Sequence, residues 1–282
     1  MNNFIKRTLT GAIFVCVLVG CIVYSEYTFA GLFTVITALG VWEFCGLVNE
    51  KEGVDVNKPI CALGGAYLFL AFFTHTAFAE LNTAFGSGAV FIPYLVVLLY
   101  LLIRELYMKH EDPLHTWAYT MLSQIYVALP FSLLNLLAFF NVENLHVVYS
   151  WGVPLALFVF IWCNDTGAYL SGMTFGKHKL FPRISPKKTW EGSIGGCILT
   201  LIVAYLIAPW IGLQEFACMG LGAVVVIFGT WGDLVESLFK RKLGIKDSGN
   251  ILPGHGGILD RFDSALMAIM AAIVYFYTLM LF

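Results

Sequence analysis

Polar and acidic side chains recur within the most apolar stretches of this 282-residue sequence. A charged residue at the centre of a membrane costs roughly 2.5–3.5 kcal/mol on insertion scales, so those that are retained there usually have a function. The candidates are Glu43, Asn164, Asp165, Asp233, Glu236, Asp260 and Asp263. Carboxylate oxygens suit Mg²⁺, which binds one or two of them together with substrate phosphate groups. These residue types therefore indicate a magnesium site that serves a phosphate-bearing ligand.

The apolar stretch that ends near residue 241 carries polar groups on one helix face. Residues spaced at i, i+3, i+4 and i+7 share a face, which here reads acid, acid, hydroxyl, cation and cation. Its members are Asp233, Glu236, Ser237, Lys240 and Arg241. One interpretation is a solvated helix end with an i, i+4 pair between Glu236 and Lys240. The other is one wall of a site, which we favour because Asp233 lies seven residues deeper than Lys240.

A glycine-rich loop follows and is dense in groups that could contact phosphate. Glycine lets backbone amides approach an anion closely, and the free amides of a following helix also favour phosphate. The candidates in or beside this loop are Lys246, His255, Gly256, Gly257, Asp260, Arg261 and Asp263. Asp260 and Asp263 are one helical turn apart, so both can face one site. Ordinary capping at a helix start is the alternative for Asp263.

A second basic loop lies between residues 175 and 192. Ser185 followed by Pro186 predicts a helix N-cap with proline at the first helical position. Lys187 and Lys188 would then lie beside free helix amides, where the negative charge of a nucleotide triphosphate is favoured. The alternative is that the basic residues of this loop only fix the topology of the chain.

Nine apolar segments must position these groups, because 59% of the residues are apolar or aromatic and only 12% are charged. Soluble domains carry about 25% charged residues, and a membrane-spanning helix needs about 20 mostly apolar ones. The predicted fold is therefore all-α, a polytopic membrane protein. The spans are 8–25, 28–48, 59–79, 87–107, 117–140, 150–171, 191–212, 215–238 and 262–282.

Positive charge predicts the orientation of these spans. With a cytoplasmic N-terminus, all 16 Lys and Arg residues fall on the cytoplasmic side, as the positive-inside rule requires, and the C-terminus lies outside. We divide the chain into residues 1–140, with spans one to five, and residues 141–282, with spans six to nine and the site. The net charge of −2 indicates no nucleic-acid partner.

The C-terminal third resembles the signature of the phosphatidate cytidylyltransferase (CDP-diacylglycerol synthase) family. The pattern runs over 27 positions without a departure. Its members here are Ser237, Phe239, Lys240-Arg241, Lys246-Asp247, Gly249, Leu252-Pro253, His255-Gly256-Gly257, Ile258 and Asp260-Arg261-Phe262-Asp263. The stretches 164–169 and 185–192 are also similar to that family, so the resemblance covers spans six to nine.

The resemblance implies a multi-pass enzyme of the bacterial inner (cytoplasmic) membrane that joins CTP to phosphatidate, depends on Mg²⁺ and forms a homodimer. Its metal-binding acids correspond to Asp233 and Asp260, with Asp263 and Asp165 in support. We further expect Lys240, Arg261 and His255 to act in catalysis. We expect Lys187, Lys188, Arg241, Lys246, Ser237, Gly256 and Gly257 to bind substrate. The rivals are a transporter and another CDP-lipid transferase, although the D-G-x-x-A-R…G-x-x-x-D pattern of such transferases does not occur.

Overall fold

The structure, a computed structural model, is almost entirely helical and describes residues 3–79, 86–142, 146–249 and 256–279. Ten α-helices are described: α1 Asn3–Tyr24, α2 Glu26–Glu52, α3 Lys58–Ala77, α4 Ile92–Met108, α5 Pro113–Leu122, α6 Leu129–Ala138, α7 Gly152–Phe175, α8 Trp190–Ile207, α9 Glu215–Lys242 and α10 Leu259–Leu279. Four short strands accompany them: β1 Phe139–Val142, β2 His146–Tyr149, β3 Lys179–Phe181 and β4 Ser185–Thr189. The predicted all-α membrane fold is confirmed.

Eight helical segments of the described chain are long and apolar enough to cross a membrane. They correspond to predicted spans two to nine. One of them, Pro113–Ala138, joins α5 to α6 through a π-helical turn at Ser123–Ala128. The first predicted span coincides with α1, whose apolar part is the shorter stretch Thr8–Tyr24.

The described chain forms two compact units. The first contains residues Met1–Ser150 and Asp247–Arg261. Its core lies between α2, α3 and α6, where aromatic rings pack against one another. The ring centroids of Phe29 and Phe33 are 5.0 Å apart with the rings tilted, and the rings of Phe33 and Phe69 stack at 6.2 Å. Such rings supply large buried area and specific geometry in a region where the membrane provides little hydrophobic driving force between helices.

The second unit contains residues Trp151–Lys246 and Phe262–Phe282. Its helices α7 and α8 approach closely because small residues face each other, as is common between membrane helices. A Cβ atom added at Gly167 would lie 2.9 Å from the Cα atom of Gly196 and 3.0 Å from the carbonyl oxygen of Gly195. Helices α9 and α10 meet in the same way at Gly232, where an added Cβ would lie 2.7 Å from the Asp263 carbonyl oxygen.

The prediction that Ser185 and Pro186 begin a helix is wrong. Residues Ser185–Thr189 form strand β4, which pairs antiparallel with β3. Thr189 is the N-cap of α8, and its side-chain oxygen accepts a hydrogen bond of 3.1 Å from the Gly192 amide. Proline is tolerated in strands that leave one edge unpaired, which a two-stranded hairpin does, so the Ser-Pro pair does not require a helix start.

Candidate active site

A cleft of about 350 Å³ opens in the second unit, lined by residues of α7, β4, α8 and α9. Its polar lining includes Asn164, Asp165, Lys187, Lys188, Ser193 and Thr230. The β3–β4 hairpin brings the two lysines to the cleft, rather than the helix start that the sequence predicts. Lys187 is exposed and Lys188 is half-buried. The cleft therefore combines an acidic wall from α7 with a basic wall from β4, which suits a phosphate-bearing ligand with a bound cation.

Asp233, on α9, makes the closest charge contact beside this cleft. Its Oδ2 atom lies 2.5 Å from the Lys188 ammonium nitrogen, and its Oδ1 atom accepts a hydrogen bond of 3.1 Å from the Ser237 hydroxyl. Ser237 lies one turn further along α9, so the predicted helix face does bring these two groups together. The side chains of Lys188 and Asp233 are 27% and 28% exposed, which leaves this ion pair accessible to a ligand.

Two further carboxylates lie within electrostatic range of Asp233. Asp165 on α7 experiences the negative charge of Asp233 and the positive charge of Lys188. Asp263 on α10 experiences the negative charges of Asp233 and Asp165. Such a cluster carries more negative than positive charge and would gain from a divalent cation. Within the described ranges, no three His, Cys, Asp or Glu side chains are grouped closely enough to hold a metal ion by themselves. Mg²⁺ commonly uses one or two carboxylates plus substrate phosphate, which matches this donor set.

Lys240 and Glu236 form a separate ion pair on α9. The Lys240 nitrogen lies 2.6 Å from a Glu236 oxygen, and the Glu236 side chain is only 1% exposed. The i, i+4 pair between Glu236 and Lys240, one of the two interpretations that the sequence allows for this helix face, is therefore present. A catalytic role for Lys240 stays a prediction.

The described ends of the glycine-rich loop belong to the first unit, where backbone amides bind carboxylates of the protein itself. Asp260 Oδ2 accepts hydrogen bonds of 2.8 Å from the amides of Ser248 and Gly257. The next two amides, of Ile258 and Leu259, donate to Glu43. The glycine turn and helix start are thus anion-binding, as their sequence predicts, and in this structure the anions are two side chains. Gly256 has φ +85°, which explains glycine at that position.

The remaining predicted residues are distributed as follows. Arg241 and Lys246 of the second unit and Arg261 of the first are exposed. His255 lies outside the described residues. Asp260 belongs to a different unit from Asp233, Asp165 and Asp263, so the prediction that Asp233 and Asp260 hold one cation stays a prediction. Phosphate contacts of these groups, and of Gly257, also stay predictions.

Two carboxylates organise the loops: Glu191, to which the sequence assigns no role, and Glu43, a candidate whose partners the sequence does not indicate. Glu191, at the start of α8, accepts hydrogen bonds from the backbone amides of Lys177 and His178 at 3.1–3.2 Å and lies 2.6 Å from the His178 ring nitrogen. It therefore ties α8 to the start of the basic hairpin. Glu43 contacts residues more than 200 positions away. Its acidic character in an apolar span was the available signal, but nothing local indicated its partners.

The sequence matches the model of the cytidylyltransferase family over residues 5–280. A phosphatidate cytidylyltransferase of Haemophilus influenzae is 31% identical to it over 288 aligned residues, which cover 96% of this chain and 98% of that protein. A phosphatidate cytidylyltransferase of Staphylococcus aureus (strain COL) is 49% identical over 129 residues, covering 45% of this chain and 47% of that protein. One of Staphylococcus haemolyticus is 52% identical over 117 residues, covering 41% and 45%.

Proposed function

This chain belongs to the cytidylyltransferase family, and we propose that it is a membrane enzyme that converts CTP and phosphatidate into CDP-diacylglycerol and pyrophosphate. The observation that supports the assignment to this site is the ion pair between Lys188 and Asp233, formed beside the cleft that Lys188 and Asp165 line. A cytidylyltransferase must bring two anions together, and this cleft offers cations and cation-binding carboxylates side by side.

In the proposed reaction, a phosphate oxygen of phosphatidate forms a bond to the α-phosphorus of CTP. The bond from that phosphorus to the bridging oxygen of the β-phosphate breaks, and pyrophosphate leaves with the electron pair. The nucleophile is already anionic, so no strong general base is needed. Catalysis consists of positioning the two phosphates and stabilising the charge that develops on the leaving group.

Lys187 and Lys188 are the residues that we assign to the phosphates, because both line the cleft on β4. Lys188 is held at Asp233 before a ligand arrives, which keeps its long side chain ordered and reduces the entropy lost on binding. Lys187 is exposed beside it and forms no ion pair with a carboxylate of the described chain, so it can meet a phosphate without breaking one. Ser237 fixes the Asp233 carboxylate from the opposite side.

In this proposal, one or two of the carboxylates Asp233, Asp165 and Asp263 would hold Mg²⁺ together with substrate phosphate. That Asp260 also binds a cation, as the family resemblance implies, stays a prediction. A bound divalent cation would supply charge neutralisation on the triphosphate and on the leaving pyrophosphate. The support is the excess of carboxylates around Lys188 and the preference of Mg²⁺ for oxygen ligands. We also propose a cytoplasmic site in the bacterial inner membrane, from the distribution of Lys and Arg, and a homodimer, from the resemblance.

The decisive experiment is an assay of the purified protein in detergent or vesicles with CTP and phosphatidate. Mass spectrometry should detect equimolar CDP-diacylglycerol and pyrophosphate. Asp165→Asn should be less active than the wild type at low Mg²⁺, whereas Glu215→Gln, which neutralises an exposed carboxylate at the far end of α9, should match the wild type. Absence of CDP-diacylglycerol under all Mg²⁺ concentrations would reject the proposal. Transfer of a phosphatidyl group to an added alcohol, or solute flux across vesicles without CTP, would instead support the rival classes.

A further inference from the structure

Glu43 is a buried carboxyl group on α2, whose other buried residues are apolar except for Thr37. It is 6% exposed. It accepts a hydrogen bond from the Ser248 hydroxyl, one of 2.8 Å from the Ile258 amide and one of 3.2 Å from the Leu259 amide. All three donors belong to the glycine-rich loop and the start of α10. Nothing in the proposed reaction, or in the sequence pattern of the loop, assigns a role to this residue.

The Glu43 side chain contacts both described ends of the loop. Ser248 lies at its beginning, whereas Ile258 and Leu259 lie at its end. The first amides of a helix have no partner within the helix, and a carboxylate there is also favoured by the helix dipole. Glu43 thus serves as an N-terminal cap for α10 that is supplied by a different helix.

Two glycines of the loop are explained by the same carboxyl group. A Cβ atom added at Gly249 would lie 2.9 Å from Glu43 Oε2, and one added at Gly257 would overlap the Glu43 carboxyl group. At these two positions, the described ends of the loop lie so close to Glu43 that a residue with a Cβ atom would displace its side chain. Such close packing holds a backbone in one position, because a fixed neighbour leaves no room for a shift.

The neighbouring Asp260 depends on the same arrangement. Its Oδ2 atom accepts from the Ser248 and Gly257 amides, and Ser248 is also the residue whose hydroxyl donates to Glu43. A movement of Ser248 or of the helix start would carry Asp260 and Arg261 with it. Their positions are therefore set partly by a residue of α2 that lies more than 200 positions earlier.

We propose that Glu43 is a positioning residue: it fixes the base of the Asp247–Arg261 loop and thereby the placement of Asp260 and Arg261 during nucleotidyl transfer. The inference rests on the proposed function, in which this loop takes part. Glu43 does not contact substrate in this account. It acts through the backbone that it holds, so its loss should slow the chemical step more than it weakens the binding of CTP.

The test compares Glu43→Gln with Glu105→Gln. Glu105 is a matched control, because it is also 6% exposed, lies in the same unit on α4, and pairs with Arg104 and His110 away from the loop. Two readouts are needed: steady-state kinetics with CTP and phosphatidate, and hydrogen–deuterium exchange of peptides covering residues 256–262.

The Gln side chain keeps the size but places an amide NH₂ group against at least one backbone N–H. We expect faster exchange at Ile258 and Leu259 and a fall in kcat on the order of 10²-fold, the cost of a displacement of about 1 Å in an active site, while KM for CTP stays near the wild-type value. Glu105→Gln should keep both the exchange and kcat. Ser248→Ala should show the same pattern more weakly, which provides a second test if Glu43→Gln does not fold.

Unchanged exchange at residues 256–262 in Glu43→Gln would overturn the inference, as would an equal fall of kcat in Glu105→Gln. A rise in KM with kcat unchanged would also overturn it, since that result would place Glu43 in binding. If the wild-type protein made no CDP-diacylglycerol, the proposed function would fail by itself, and the exchange data would still decide whether Glu43 holds the loop.

Discussion

Neutralising Asp233 is the sharpest test of the proposed cleft. The Asp233→Asn substitution preserves the size of the side chain and an oxygen that can accept the Ser237 hydrogen bond. It removes the negative charge that lies 2.5 Å from the Lys188 nitrogen. Two consequences can be separated: the loss of an ion pair, which affects stability, and the loss of a cation-binding carboxylate, which affects catalysis.

The stability effect can be worked from the distance. At 2.5 Å and an effective dielectric constant of 20, two unit charges attract by about 7 kcal/mol. Desolvation and side-chain ordering offset most of that attraction. Exposed pairs contribute at most about 1 kcal/mol, whereas breaking buried ones costs roughly 3–5 kcal/mol. Since both side chains are about a quarter exposed, we expect Asp233→Asn to lower the free energy of unfolding by about 1–3 kcal/mol.

The catalytic effect should be larger than this loss of stability accounts for. Removing one carboxylate from a cation site that stabilises the leaving pyrophosphate should raise the barrier by about 3 kcal/mol, which lowers kcat by on the order of 10²-fold. The assay measures CDP-diacylglycerol formation against Mg²⁺ concentration for the wild type, Asp233→Asn, Lys188→Gln and the double variant. Thermal unfolding in detergent is measured on the same four proteins, so that a coupling energy can be obtained.

In the double variant, Lys188 is no longer stranded without its partner, so thermal stability should be partly regained. Activity should not return, because the cation-binding group is still missing. Recovery of near wild-type activity in the double variant would refute the reasoning, since Asp233 would then serve only to neutralise Lys188. An Mg²⁺ dependence identical to that of the wild type in Asp233→Asn would remove the metal assignment.

Three further predictions follow from distances in the second unit and from the charge cluster. Gly167→Ala places a Cβ atom 2.9 Å from the backbone of α8, so we expect the protein to lose about 1–3 kcal/mol of stability in thermal unfolding. The control is Gly31→Ala, whose added Cβ has nothing within 4 Å and should not destabilise the protein. Thr189→Ala removes the cap of α8 and the 3.1 Å bond from the Gly192 amide, which should cost about 0.5–2 kcal/mol, with Thr189→Ser restoring it. Chelation of divalent cations should abolish CDP-diacylglycerol formation, and Asp165→Asn should require more Mg²⁺ for half-maximal rate; full activity in the presence of chelator would contradict the cation's role.

The sequence by itself determined the class of the protein and most of its helices. Hydropathy and the length needed to cross a bilayer depend only on consecutive residues, so eight of the nine predicted spans reappear as helices long and apolar enough to cross a membrane. The same is true of the α9 face, where Asp233 and Ser237 meet because one turn of helix brings residues four apart together. The family resemblance also lies in contiguous motifs, and it led to the family that the sequence comparison supports.

Tertiary structure decided everything that depends on partners distant in the chain. Lys188 meets Asp233, which lies 45 positions later in the chain, only because β4 forms a hairpin instead of the predicted helix start. Glu43 meets Ile258 and Leu259 because the rotation of α2 about its axis turns one carboxyl group toward the loop. Helix rotation and the choice of buried partner are fixed by packing over the whole unit. No local pattern encodes them, which is why the sequence identified an anion-binding turn without identifying the carboxyl groups that it binds.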